Sequence, residues 1–208
     1  MINFRNTKFI KSAPDFSYAP KDRLLPEILL VGKSNVGKST LLNALTENKG
    51  LAKVSSTPGA TKYLNYFLLD NKYYLIDAPG YGFVSDKNFT FTKTMDSMFT
   101  SKKLKGVVFI LDSRRTLTDD DKVFYNYLID KNLPFVIALS KADKLQFFPL
   151  SSRLLKSLGN LQDFHFPSKP QSLHLKSRNR LRRSVIPCKE GFLNLLNRAL
   201  QKDTLHFF

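Results

Sequence analysis

Short apolar runs alternate along this chain with segments of helical period, and the alternation sets the architecture. Residues 28–31 are four consecutive apolar positions. The run is too short for a helix and stops at Gly32, so it reads as a strand buried on both faces. From 38 to 46, Leu41, Leu42 and Leu45 share one face of a helix. Residues 48–61 hold Gly50, Pro58 and Gly59 with little periodicity, which predicts a loop. Segments 63–69 and 73–76 flank Asp70-Asn71-Lys72 and predict a hairpin. A second loop covers 79–88. Residues 107–111 and 134–139 read as buried parallel strands. Between them a helix spans 118–131, with Thr118 as cap and Asp119, Asp120 and Asp121 complementing its N-terminus. Phe192, Leu195, Leu196, Ala199 and Leu200 recur at helical spacing and predict a core-facing final helix.

Residues 27–208 therefore predict one α/β layered domain. Residues 1–26, polar and punctuated by Pro14, Pro20 and Pro26, read as an N-terminal arm. Residues 151–183 follow no clear period. Lys169, Lys176, Arg178, Arg180, Arg182 and Arg183 occur there without an acidic neighbour over 169–183. That stretch reads as a basic insertion near 165–183, ahead of a short strand at 184–187.

Composition changes this picture in three ways. The 208 residues, 42% hydrophobic, suffice for a full core. Lys and Arg number 33 against 17 Asp and Glu, a formal charge of +16. Holding one polyanionic ligand needs only one or two lysines, so the surplus points to a second anionic surface, most simply nucleic acid. Cys188 is the single cysteine. No internal disulfide can form, which fits a reducing compartment. The N-terminus has no run suited to a signal peptide, and no run reaches the ~18–20 apolar residues of a membrane span. A cytoplasmic chain is expected.

Candidate chemistry lies at the strand ends. Gly32-Lys33-Ser34-Asn35-Val36-Gly37-Lys38-Ser39 fits the phosphate-binding P-loop pattern, with Thr40 next in the helix. A strand ends, the chain bends around phosphate, and a helix begins with its N–H groups facing the anion. Gly32 and Gly37 allow the bend, Lys38 reaches the β- and γ-phosphates, and the Ser39 hydroxyl binds Mg²⁺. Asp77-Ala78-Pro79-Gly80 follows a strand. Asp77 there can hold Mg²⁺ through water, and Gly80 lets an N–H approach the γ-phosphate. Thr57-Pro58-Gly59-Ala60-Thr61 lies in the intervening loop. Thr61, just before a strand, is the favoured Mg²⁺ ligand when the γ-phosphate is present, with Thr57 as the alternative. Ser140-Lys141-Ala142-Asp143 ends another strand. The Asp143 carboxylate can accept the N1–H and N2 amino hydrogens of guanine, a pair adenine does not offer. The Lys141 stem can lie along the base. Together these predict Mg²⁺-dependent binding of GTP and GDP.

These motifs in this order resemble the EngB (YihA/YsxC) family of P-loop GTPases. Phe9-Ile10-Lys11-Ser12-Ala13-Pro14, Leu25-Pro26-Glu27-Ile28, Asp77 to Gly82, Leu111-Asp112-Ser113-Arg114 and Lys141-Ala142-Asp143-Lys144-Leu145 add to the likeness. The resemblance implies a three-layer Ras-like domain with a mostly parallel six-stranded sheet and one antiparallel hairpin. It also implies a monomeric cytoplasmic switch in assembly of the large ribosomal subunit, meeting ribosomal RNA and ribosomal proteins, and so linked to cell growth, division and septation. Lys38, Thr61 and Gly80 would carry catalysis. Cys188 and Lys189 would occupy the last guanine loop, and Asn35 matches a position that helps bind K⁺ in related GTPases. Ser140 departs from the family's usual Thr and from the Asn of related GTPases, and its shorter side chain is expected to loosen the tie between base loop and P-loop. Tyr81 stands where Ras-like enzymes carry a water-orienting glutamine, so slow intrinsic hydrolysis is expected. Asp112 and Arg114 fall at a strand end on the nucleotide edge, where a salt bridge, a cap or a functional role would each fit. A different class, a small-molecule kinase with an arginine-rich lid at Arg178–Arg183, is opposed by the guanine-reading segment and the Thr57–Thr61 switch.

Overall fold

In the computed structural model, residues 2–21, 24–54, 63–81 and 98–141 are described. Their centre is β2 (Glu27–Val31), buried at all five positions. It pairs in parallel with β4 (Tyr73–Asp77) on one side and β5 (Leu104–Asp112) on the other, so neither edge nor face meets water. That explains a run without alternation. The remaining strands are β1 (Thr7–Ala13), β3 (Leu64–Leu69) and β6 (Phe135–Ser140). The six-stranded order is β1-β3-β4-β2-β5-β6.

Strand alternation sends the two sides of β2 into two cores. Ile28 and Leu30 meet Leu41, Leu42 and Leu45 of helix α1 (Lys38–Thr46). Leu29 and Val31 face the layer holding Phe124, Tyr125 and Leu128 of helix α2 (Asp119–Asp130). The result is the three-layer α/β arrangement. The chain leaves β2 toward β3 and β4 on one side and leaves its other neighbour β5 toward β6 on the opposite side, so the connections diverge between β2 and β5. Open α/β sheets bind ligands at such a switch point, beyond the strand C-termini.

Local signals explain the boundaries. The β3–β4 turn places Asp70 and Asn71 at φ 49° and 54°, the paired positive values of a tight hairpin turn that Asp and Asn tolerate. Thr118 and Asp121 form a reciprocal capping box at the start of α2.

The arm expected over 1–26 is corrected at one element: Thr7–Ala13 is a strand of the domain, antiparallel to β3. It escapes a reading by periodicity because an edge strand need not hide either face. Only Thr7 and Ala13 are buried, and a bulge between Phe9 and Lys11 breaks the register. The sheet thus reaches six strands among the described residues through β1. The strand expected at 184–187, the final helix, and the basic insertion lie outside the described residues.

One buried group carries a stability prediction. Glu27 is 1% exposed, its Oε2 has no hydrogen-bond partner among the described residues, and burial pushes its carboxyl up to about 7 against the pull of Lys103. A carboxyl raised in the folded state stabilises fully below its unfolded value near 4.5, and that contribution is lost as pH rises through 7. The change is worth about 3 kcal/mol. Glu27→Gln should therefore unfold at higher urea than the parent at pH 8, with the gain vanishing at pH 4.5. An equal difference at both pH values would contradict this.

Candidate functional site

The site forms where β2 ends and α1 begins. Gly32 is required by close approach, because a Cβ there would run into the Ile110 carbonyl oxygen and come within 2.8 Å of Val36 Cγ1. Gly37 caps α1 in the left-handed region at φ 113°, which favours glycine. Among the described residues no side chain caps α1. Its first N–H groups are left for an anion, in contrast to the capped start of α2.

Behind that terminus sits a buried charged cluster. Lys38 is 7% and Asp77 1% exposed. Lys38 Nζ donates to the Gly32 carbonyl at 3.2 Å. Burial draws the Lys38 ammonium down in pKa while Asp77 opposes the shift. Burial pushes the Asp77 carboxyl up, against Lys38 and a hydrogen bond from Ser39. Ser39 Oγ donates to Asp77 Oδ2 at 2.9 Å, and Asp77 Oδ1 has no hydrogen-bond partner among the described residues. An orphaned buried carboxylate oxygen beside a hydroxyl suits a hard cation with oxygen ligands. No group of three or more His, Cys, Asp or Glu side chains that could cage a metal exists among the described residues. A cation held by so few of the described side chains keeps positions open for phosphate and water, as Mg²⁺ does. The chemistry of the donors fits Mg²⁺.

The segment 77–81 packs directly on the P-loop. The Ser34 N–H donates to the Tyr81 carbonyl at 3.3 Å, and Lys33 bridges Tyr81 in parallel. A Cβ on Gly80 would lie 2.6 Å from Ser34 Cα. Ala78 is fully buried beneath the loop, and Pro79 leads into Gly80. Tyr81 is turned into the core, where its hydroxyl donates to Asp121 Oδ1 at 2.5 Å and its ring stacks on Phe124 at 5.5 Å. A phenol held there cannot orient a water at the phosphates.

The segment expected to read the base begins at the end of β6. Ser140 Oγ lies 2.6 Å from the Val36 carbonyl oxygen. The loosened tie expected from its short side chain is thus corrected, since the hydroxyl reaches the P-loop. Proximity explains it: a Cβ on Gly37 would stand only 3.7 Å from Ser140 Cβ. Lys141 Nζ donates to the Asn35 carbonyl at 2.8 Å and to Asp112 Oδ2 at 3.0 Å. Asp112 also accepts both arms of the Arg114 guanidinium at 2.9 and 2.8 Å, so the salt bridge is the observed outcome there. Asn35 takes a positive φ of 60° in the loop. Thr40 continues α1.

Expected site residues at Thr57, Pro58, Gly59, Ala60, Thr61, Ala142, Asp143, Cys188 and Lys189 lie outside the described residues. Sequence reasoning did not foresee the Tyr81–Asp121 bond. Its only trace was a polar-tipped aromatic next to Gly80 and a helix start rich in Asp.

A family model described as "50S ribosome-binding GTPase" matches residues 27–141. Similar curated proteins include "Probable GTP-binding protein EngB" of Thermoanaerobacter pseudethanolicus, 41% identical over 148 residues, covering 69% of this chain and 77% of the relative. The protein of that name from Caldanaerobacter subterraneus subsp. tengcongensis is 42% identical over 148 residues, covering 69% and 76%. That of Lactobacillus helveticus is 41% identical over 167 residues, covering 77% of this chain and 85% of the relative.

Proposed function

Because the chain belongs to the EngB family of GTP-binding proteins, we propose that this GTPase is a Mg²⁺-dependent switch acting on precursors of the large ribosomal subunit. The observation that carries the nucleotide half is the cluster of Lys38, Ser39 and Asp77 at the uncapped start of α1. Lys38 and the N–H groups at the uncapped start of α1 hold the phosphates and stabilise charge on them as the γ-phosphate leaves. Ser39 and Asp77 hold the cation, with Thr61 completing its shell when the γ-phosphate is present. Mg²⁺ bound there neutralises charge on the phosphate oxygens. Gly80 lets its N–H approach the γ-phosphate. Asp143 reads the guanine edge, and Cys188 and Lys189 occupy the last guanine loop with their N–H groups toward O6.

No described side chain replaces a water-orienting glutamine, and Tyr81 is occupied by Asp121. The isolated GTPase therefore hydrolyses slowly and is accelerated by its partner. The +16 charge supports an RNA-bearing partner. A cytoplasmic monomer serving cell growth and division fits this role. Among the described residues no helix is long and apolar enough to cross a membrane.

Co-sedimentation with large-subunit precursors tests the reading. Retention should be stronger with a non-hydrolysable GTP analogue than with GDP, because a ligand shifts only an equilibrium whose two states it binds differently. Added precursor should raise GTP turnover about tenfold or more, the scale on which a positioned partner group acts. Equal retention in both nucleotides, with turnover unchanged, would remove the switch.

A further inference from the structure

We infer that Asp112 is a positioning residue for guanine-nucleotide binding: its carboxylate holds the Lys141 ammonium against the Asn35 carbonyl, keeping base-reading and phosphate-reading segments at a fixed spacing. This rests on the nucleotide placement proposed above.

The register begins the argument. Asp112 and Ser140 are paired at the ends of the parallel strands β5 and β6. Lys141, one residue on, takes a positive φ of 59°. From there its long side chain meets Asp112 Oδ2 at 3.0 Å and the Asn35 carbonyl at 2.8 Å. Two of the three ammonium donors are thereby engaged, one by a charge and one by the P-loop backbone. A lysine stem is flexible and its ammonium strongly hydrated, so a neutral carbonyl alone holds it poorly. The carboxylate supplies the stronger, charge-assisted bond. The Asp112 side chain is only 8% exposed, which limits competition from water. Burial alone would favour its protonated form, but hydrogen bonds from Arg114 and Lys141 prevail and hold the carboxyl well below the usual range. It is ionised wherever the protein works.

Arg114 also pairs with Asp112, yet it is only two residues away. That bond shapes one turn. The Lys141 bond instead joins segments 29 residues apart and continues to Asn35, 106 residues from Lys141. This second arm is the one that reaches the P-loop. A parallel contact, the Ser113 N–H donating to the Ser140 carbonyl at 3.0 Å, keeps the strand ends aligned. Lost nucleotide affinity in an Asp112 variant would therefore trace to Lys141 and not to a parted sheet.

The test is a double-mutant cycle read by dissociation of a fluorescent GDP, with melting temperature measured alongside. Asp112→Asn should speed release about tenfold, an ordinary coupling for a charged pair in one network. Lys141→Met should speed it at least as much. Adding Asp112→Asn to Lys141→Met should change release less than about twofold, because the group being positioned is already gone. Arg114→Gln, which removes the arm two residues away and leaves Lys141 in place, should also change release less than about twofold. Multiplying effects of Asp112→Asn and Lys141→Met would overturn the role. So would Arg114→Gln matching Asp112→Asn, or a lower melting temperature with unchanged release. If the wild-type chain took up no GDP, the nucleotide reading would fail and this role with it. Tight wild-type binding with multiplying variants would remove this role alone.

Discussion

Asp77→Asn is expected to abolish the Mg²⁺ dependence of nucleotide binding and to slow GTP hydrolysis about 10- to 100-fold, the usual range for a group that orients a metal's shell. The substitution preserves volume, and an amide oxygen can still accept from the Ser39 hydroxyl, now 2.9 Å from Oδ2. What disappears is the negative charge and the free acceptor at Oδ1, which has no hydrogen-bond partner among the described residues. Both matter to a hard cation and neither matters to an uncharged neighbour. A hundredfold loss corresponds to about 2.7 kcal/mol of barrier. Dissociation of labelled GDP with Mg²⁺ and with EDTA gives the decisive measurement. The parent should release GDP faster in EDTA, whereas the variant should release it at one rate in both. Retained Mg²⁺ sensitivity would mean that Asp77 serves Lys38 as a counter-ion and nothing else. The two carry opposed shifts, Lys38 drawn down and Asp77 pushed up by the same burial, so each already stabilises the other's charge.

How far this site was legible depended on whether its determinants were local. β2, closed by Gly32, and α1 with its leucine face were readable because strand, bend and helix follow within twenty residues of chain. α2 was readable from Thr118 and the three aspartates that follow it. β1 was not, since its pairing with β3 is more than fifty residues distant and its exposed middle leaves no alternation. The reach of Ser140 was not legible for a related reason: the distance its hydroxyl must span is set by how closely β6 approaches Gly37, a tertiary quantity. The fate of Tyr81 likewise depends on Asp121 and Phe124 being brought beneath it by the sheet.

Gly80→Ala tests the contact between segment 77–81 and the P-loop, and its effect should separate catalysis from binding. An added Cβ would sit 2.6 Å from both the N and the Cα of Ser34, and 2.7 Å from its Oγ. The hydroxyl can rotate away, but the backbone cannot. To regain an ordinary contact of 3.4 Å the segments must part by about 0.8 Å. The Ser34 N–H to Tyr81 bond, already 3.3 Å long, would be lost in doing so. A displacement near 1 Å at a catalytic constellation costs about 100-fold in rate. GDP binding should weaken less than about tenfold, because Lys38, Gly37 and the Ser140 tie do not touch the added methyl, and GDP has no γ-phosphate for residue 80 to meet. Single-turnover hydrolysis and GDP titration on the same preparation distinguish the outcomes. Unchanged hydrolysis would show that Ser34 yields freely and that this apposition is no constraint. Equal loss of GDP binding and hydrolysis would show that the strain spreads through the whole P-loop, in which case Gly80 acts by supporting the phosphate cradle and not by admitting an N–H to the γ-phosphate.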